Sequence, residues 1–198
     1  MRRRVLIWRG LDAWRAEYCD ATLYADRLLA RGTQIGVDPL PYRLAYTLDT
    51  APGFDTARLT VDATGEGWSR RLDLWREADR GWHVSADAAG DSTLHDPGGD
   101  VGDFAEARDC DIGFCPLTNT MPIVREGLME GKGPFDYVMA WVSVPDLRVI
   151  RSEQRYEPIA ARRVRYVSGR RSFVAELELD ENGFVERYQH LAELAYPP

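Results

Sequence analysis

The chain has 198 residues, 44% of them hydrophobic, and a formal net charge of -7. That size suits one ordinary globular domain over 1-198, and six Trp, nine Tyr and six Phe supply packing material that a disordered acidic tail lacks. The negative charge argues against a nucleic-acid partner, because phosphate binding is driven by neutralising cations.

In chain order, MRRRVLIW opens with a basic cluster, but its apolar run stops after Val5, Leu6, Ile7 and Trp8 and meets Arg9. The run is too short for the core of a signal peptide, and no long apolar segment follows, so the expectation is a soluble cytoplasmic chain without a transmembrane segment. Three cysteines, an odd number, fit a reducing compartment better than a disulfide framework. Residues 11 to 30 admit two readings, an amphipathic helix or an extended pair.

From Pro41 to Thr50 the pattern is plainer: Tyr42, Leu44, Tyr46 and Leu48 recur at period two, the spacing of one face of a strand. "FDTARLTVDA", "GWSRRLDLW" and "GWHVS" follow, and in the second of these Trp68, Arg70, Leu72 and Leu74 share a side. Turns are expected around Gly53, at Gly65 with Gly67, and at Asp79 with Gly81, giving consecutive antiparallel strands. Between Ala86 and Asp109 the composition turns to Asp and Gly, which predicts a long surface connection. Its aspartates do not match the spacing of an EF-hand loop with its closing Glu.

The second half repeats the strand habit. "FDYVMAWVSVP" and "LRVIRSEQRYEP" pair around Pro145 and Asp146, and "RRVRYVSGRRSFVAELELDENGFVERY" reads as three strands turning at Ser168-Gly169 and Asn182-Gly183. The fold class expected is mainly β, a β-rich α+β arrangement.

Between these halves lies the densest stretch, "DCDIGFCPLTNTMPIVR". Four residues separate Cys110 from Cys115, and His83, His95 and His190 have no ligand-like spacing to them, so a zinc site is disfavoured; a redox pair would need Cys-x-x-Cys. No metal or cofactor is expected. Asp109 and Asp111 stand two apart, so on a strand both carboxylates project from one face while Cys110 and Ile112 take the other. Pro116 suits the start of a helical turn over Pro116 to Thr120, and Pro122 should end it before a new strand from Ile123.

This stretch, with "AWVSVPDL", "EQRYE", "RYVSGRRSFVAELELDENGFVERY" and the early "WRGLD" with Glu17, resembles the family called putative glycolipid-binding, formerly a domain of unknown function. The resemblance covers nearly the whole chain. Asp-x-Asp ahead of Pro-x-Thr-Asn-Thr-x-Pro-Ile is its most specific part, supported by Gln154-x-Tyr156 and the terminal Gly-Phe-Val-x-x-Tyr. It implies a many-stranded antiparallel sheet curled as a half-barrel around a single helix, a homodimer, and an acidic pocket for a glycolipid, sugar or other amphiphilic ligand. Two positions depart from the family pattern: Cys115 stands where Ser or Thr is usual, and "YQHLAEL" replaces a Tyr-Pro-Gly segment.

The polar residues placed near such a pocket are Asp109, Asp111, Asn119, Thr120, Arg125, Glu17, Arg9 and Tyr156, because carboxylates and amides pair well with sugar hydroxyls. Each has a plainer reading. Asn119 and Thr120 form turns, Arg125 neutralises an aspartate, and Arg9 pairs with Glu17 on the surface. Trp8 or Trp141 could stack on a sugar, although Trp141 amid "VMAWVSV" suits the core. The alternative to a binding protein is a hydrolase acting on a glycoconjugate, with Asp109 and Asp111 as acid and base. Their Cα spacing of about 6 to 7 Å by strand rise permits that without favouring it.

Overall fold

A computed structural model describes residues 1–169 and 173–196. Seven strands come first: β1 (Arg2–Gly10), β2 (Arg15–Leu23), β3 (Leu28–Gly36), β4 (Tyr42–Thr50), β5 (Thr56–Gly65), β6 (Trp68–Glu77) and β7 (Gly81–Gly90). β8 (Asp109–Ile112) and helix α1 (Thr120–Glu126) follow. The chain then runs through β9 (Phe135–Val142), β10 (Val149–Ala160), β11 (Arg163–Ser168), β12 (Phe173–Leu179), β13 (Val185–Tyr188) and β14 (Ala192–Leu194). All strands lie in one sheet, ordered β7-β6-β5-β4-β3-β2-β1-β14-β13-β12-β11-β10-β9-β8.

The sheet is two meanders sewn together. β1 to β7 pair consecutively and antiparallel, as do β9 to β14, and the seam is β1 against β14, with Trp8 opposite Leu194 and Gly10 opposite Ala192. At the far edge β8 runs parallel to β9. A parallel neighbour cannot be reached by a tight hairpin, and residues 113–134, with α1, make the crossover. The mainly β expectation holds, with a sheet that is curled and not closed. No helix among the described residues is long and apolar enough to cross a membrane.

Alternation decides each strand. In β4, Tyr42, Leu44, Tyr46 and Leu48 are buried and the residues between them are not. The stretch 11 to 30 resolves as extended for the same reason: Arg15, Glu17, Cys19, Ala21 and Leu23 of β2 are buried at period two, and so are Leu28 and Ala30 of β3. A helix would have scattered these residues around its circumference.

The crossover segment fills the concave side. Leu117 and Met121 pack with the inner faces of β1 to β6, while Ile123 and Leu128 pack with Tyr156, Tyr166, Leu177 and Tyr188 from β10 to β13. The segment 86–109 is better anchored than a surface loop: β7 extends to Gly90, and Asp100 caps a 3-10 turn over Val101–Phe104. Phe104 is fully buried, and the Trp82 indole N–H donates to the Ala107 carbonyl at 2.9 Å.

The Pro122 expectation needs correction. The 3-10 turn Pro116–Asn119 runs straight into α1, and Pro122 is the third residue of that helix. The first N–H groups of a helix have no intrahelical partner, so a proline there sacrifices no hydrogen bond and the helix continues to Glu126. It stops at Gly127, whose φ of 68° is the left-handed conformation that suits glycine, and whose N–H reaches back towards the Ile123 and Val124 carbonyls.

Candidate functional site

β8 is buried on both faces, contrary to a strand with one wet side. β9 flanks one edge, and the start of β5 approaches the other: the Cys110 N–H donates to Thr56 Oγ1 at 2.9 Å and the Thr56 N–H to the Arg108 carbonyl at 3.0 Å. Two carboxylates are therefore carried into the interior, and each finds separate partners.

Asp109 is held by Arg125, from the last turn of α1, through two parallel contacts of 2.7 Å. Such a fork is the strongest geometry open to a carboxylate. Burial pushes the Asp109 carboxyl up, against the pull of the guanidinium, and the group ends above its ordinary value. Burial alone would lower Arg125, but Asp109 and Glu126 outweigh it and raise the guanidinium. Asp109 is 1% exposed, with no open face left for a ligand.

Asp111 is different. It accepts from Thr118 Oγ1 at 2.6 Å and from the Gln154 side-chain amide at 2.7 Å. Burial pushes its carboxyl up to about 6, opposed by those two hydrogen bonds and reinforced by the Asp109 charge. Gln154 continues the chain, since the Tyr156 hydroxyl lies 3.1 Å from Gln154 Oε1 and 2.9 Å from Asn119 Oδ1. Its single proton serves one of these oxygens at a time. The Asn119 amide N–H donates to the Pro116 carbonyl at 3.2 Å, so Asn119 both closes its turn and faces Tyr156.

Asp111, Cys115 and Asn119 line a cleft of about 260 Å³, whose walls also include Phe114, Trp141, Ser152, Tyr166, Phe173, Tyr188 and Leu191. Arg15 stacks 4.2 Å above the Phe114 ring while pairing with Asp12 at 2.8 Å. Tyr166 and Tyr188 of the wall continue through Tyr156 to Tyr137 in an edge-to-face series, with centroid spacings of 5.6 Å for Tyr137–Tyr156, 5.2 Å for Tyr156–Tyr166 and 5.6 Å for Tyr166–Tyr188. A wider groove of about 600 Å³ along β9 to β11 is lined by Asp136, Val138 and Arg155 among others, but its charges are exposed and matched to each other. The cleft is the better candidate because it holds the perturbed carboxylate.

The other residues singled out from the sequence scatter. Glu17 is buried on β2 and accepts from Tyr46 at 2.6 Å, Gln34 at 2.9 Å and the Cys115 thiol at 3.1 Å. Tyr46 reaches it by lying flat across Gly32, where a Cβ would sit 2.3 Å from the ring. Burial raises the Glu17 carboxyl. Glu17 thus ties the motif turn to β2 from behind the cleft, and its partner is Cys115, the position where the family pattern has a hydroxyl. Arg9 lies on the exposed side of β1, paired with Glu193 and not with Glu17. Thr120 is fully buried, with its hydroxyl unmatched. Trp8 is a core residue whose indole donates to the Val185 carbonyl at 2.8 Å, whereas Trp141 is half-buried and lines the cleft. Sequence reasoning missed Thr118, Gln154 and Ser152 as site residues; the available signals were Thr118 inside the Thr-Asn-Thr motif and Gln154 two positions before Tyr156 on a strand.

Among the described residues no group of three or more His, Cys, Asp or Glu converges to hold a metal ion. All three cysteines are buried and unbridged.

The family model described as "Putative glycolipid-binding" matches residues 5–193. The chain belongs to that family. Membership supports a binding role at the family level. A crystal structure of a DUF1089 family protein from Pseudomonas aeruginosa is similar in fold, with a TM-score of 0.69 over 89% of this chain and 91% of that one, at 24% identity. No curated protein matches the chain.

Proposed function

We propose that this family member binds the sugar-bearing headgroup of a glycolipid or a similar amphiphile, with Asp111 and Asn119 as acidic and polar groups of the cleft. The observation that carries the reading is a carboxylate and a carboxamide opening between aromatic walls, Phe114, Trp141, Tyr166, Phe173 and Tyr188. Carboxylates and amides pair with sugar hydroxyls, and aromatic faces cover the apolar side of a sugar ring. At about 260 Å³ the cleft lies just under the roughly 300–1,000 Å³ of pockets for drug-sized ligands, which suits a headgroup with its acyl chains outside.

A hydrolase using both aspartates is the weaker reading. Acid and base must flank one scissile bond, and Asp109, closed off by Arg125, is absent from the cleft walls. Native mass spectrometry of the purified chain against a panel of glycolipids and free sugars tests the binding reading. Retention of at least one headgroup class is expected, weakened about tenfold or more by Asp111→Asn, the order of one charge-assisted hydrogen bond. No retained ligand across the panel would contradict it.

A homodimer and a cytoplasmic location belong to the same reading. For the dimer, the outer face of β1 to β3 offers Val5, Ile7, Tyr18 and Ile35, all exposed, with Ile7 directly opposite Tyr18.

A further inference from the structure

Asp111 lies in the cleft wall, yet among the described residues no cation pairs with it. An ionised carboxylate has about four acceptor sites on its two oxygens. Thr118 Oγ1 takes one at 2.6 Å and the Gln154 amide another at 2.7 Å, and both are neutral donors. Asp111 keeps 9% of its surface open where Asp109 keeps 1%, so its remaining acceptor capacity faces the cleft. The charges nearby do not answer it. Arg125 is taken up by Asp109, and Arg15, packed on the Phe114 ring, is taken up by Asp12 at 2.8 Å and the Leu191 carbonyl at 3.2 Å. Glu17, whose carboxylate accepts from the Cys115 thiol at 3.1 Å, adds negative charge behind the same wall. A buried carboxylate held only by neutral donors is unfavourable as an anion unless a bound group brings the opposite charge.

The rest of the wall suits a cation. Tyr166, Phe173 and Tyr188 contact one another, with centroid spacings of 6.2 Å for Tyr166–Phe173, 5.6 Å for Tyr166–Tyr188 and 6.1 Å for Phe173–Tyr188, and Trp141 lines the same cleft. The face of an aromatic ring carries negative potential and attracts an ammonium within about 6 Å of its centroid. Arg15, 4.2 Å above the centroid of Phe114, already makes that contact with a ring of this wall. Among the described residues that line the cleft there is no Arg or Lys. We propose that the cleft selects a headgroup carrying one positive charge, an ammonium on the sugar, seated against Asp111 and the aromatic wall. The inference rests on the headgroup reading above and names its chemical class. Asn119 and Ser152 remain for the sugar hydroxyls, and Asp111 repels an anionic headgroup.

Dissociation constants of three methyl glycosides for the full chain, measured by NMR titration at pH 7 and constant ionic strength, test the proposal. Methyl glucosaminide carries an ammonium, methyl glucoside is its neutral counterpart, and methyl glucuronide carries a carboxylate. At that pH Asp111, with its carboxyl at about 6, is mostly ionised. The glucosaminide should bind about tenfold tighter than the glucoside or better, and the glucuronide should bind most weakly. Asp111→Asn keeps the shape and removes the charge, and should bring the glucosaminide and the glucoside to within about threefold of each other. The wild-type ratio decides by itself if that variant does not fold. A glucoside that binds as tightly as the glucosaminide, or tighter, overturns the ammonium and leaves the headgroup reading standing. Binding of none of the three overturns both. A preference for the ammonium that survives in folded Asp111→Asn overturns Asp111 as its partner.

Discussion

Asp111 and Asp109 are two positions apart on one strand, yet the protein treats them as different chemical objects. Asp109 is neutralised by a guanidinium fork, whereas Asp111 has only neutral donors, Thr118 and Gln154, and a carboxyl at about 6 against an ordinary 3.8. A carboxyl whose folded pKa is raised favours folding most below the unfolded value, and that contribution is lost as pH rises through the folded value. The stability of the wild type relative to Asp111→Asn should therefore fall between about pH 4 and pH 6 and level off above, by no more than about 3 kcal/mol. Parallel urea titrations of the two proteins across that range check the sign; a difference that grows with pH would contradict the placement of Asp111. The sequence marked both aspartates, but not their unlike environments, because the partners come from 16 and 43 residues away.

The motif segment behaves as an element because a buried ion pair ties its two ends together. Arg125 on α1 and Asp109 on β8 join the end of the helix to the sheet edge, with Asp55 a further 3.6 Å from the guanidinium. Removing one member of a buried pair strands the other: Arg125→Leu should cost about 3–5 kcal/mol, and the double variant Asp109→Leu with Arg125→Leu should cost clearly less than the sum of the two single changes. Chemical denaturation of the four proteins measures the coupling. At this scale the strands were legible, because period-two burial in β4 to β6 follows directly from the order of apolar residues. The helix was less so. Pro122 reads locally as a stop signal, and only its position in the first turn makes it harmless.

For the whole molecule the decisive contact is the seam between β1 and β14, which joins residues more than 180 positions apart. No local pattern announces such a pairing, so the resemblance to a family, and not periodicity, supplied the expectation of a curled sheet around one helix. Once the seam is made, Leu11 and Arg15 are brought against Leu191, a residue of the cleft wall: the Leu11 N–H and the Arg15 guanidinium donate to the Leu191 carbonyl at 3.0 and 3.2 Å. The outer face carries its own prediction. If the chain dimerises through β1 to β3, Ile7→Glu with Tyr18→Glu, both exposed and opposite each other, should yield monomers in sedimentation velocity without loss of the folded spectrum; an unchanged sedimentation coefficient would place the interface elsewhere. The cleft itself is tested most directly by indole ¹H–¹⁵N spectra recorded during titration with a glycolipid headgroup. The Trp141 resonance, on the cleft wall, should shift in a saturable way while Trp8, in the core, stays in place, and Asp111→Asn should move the midpoint of that shift to about tenfold or more higher ligand concentration. A ligand that binds while leaving Trp141 unmoved would contradict the account.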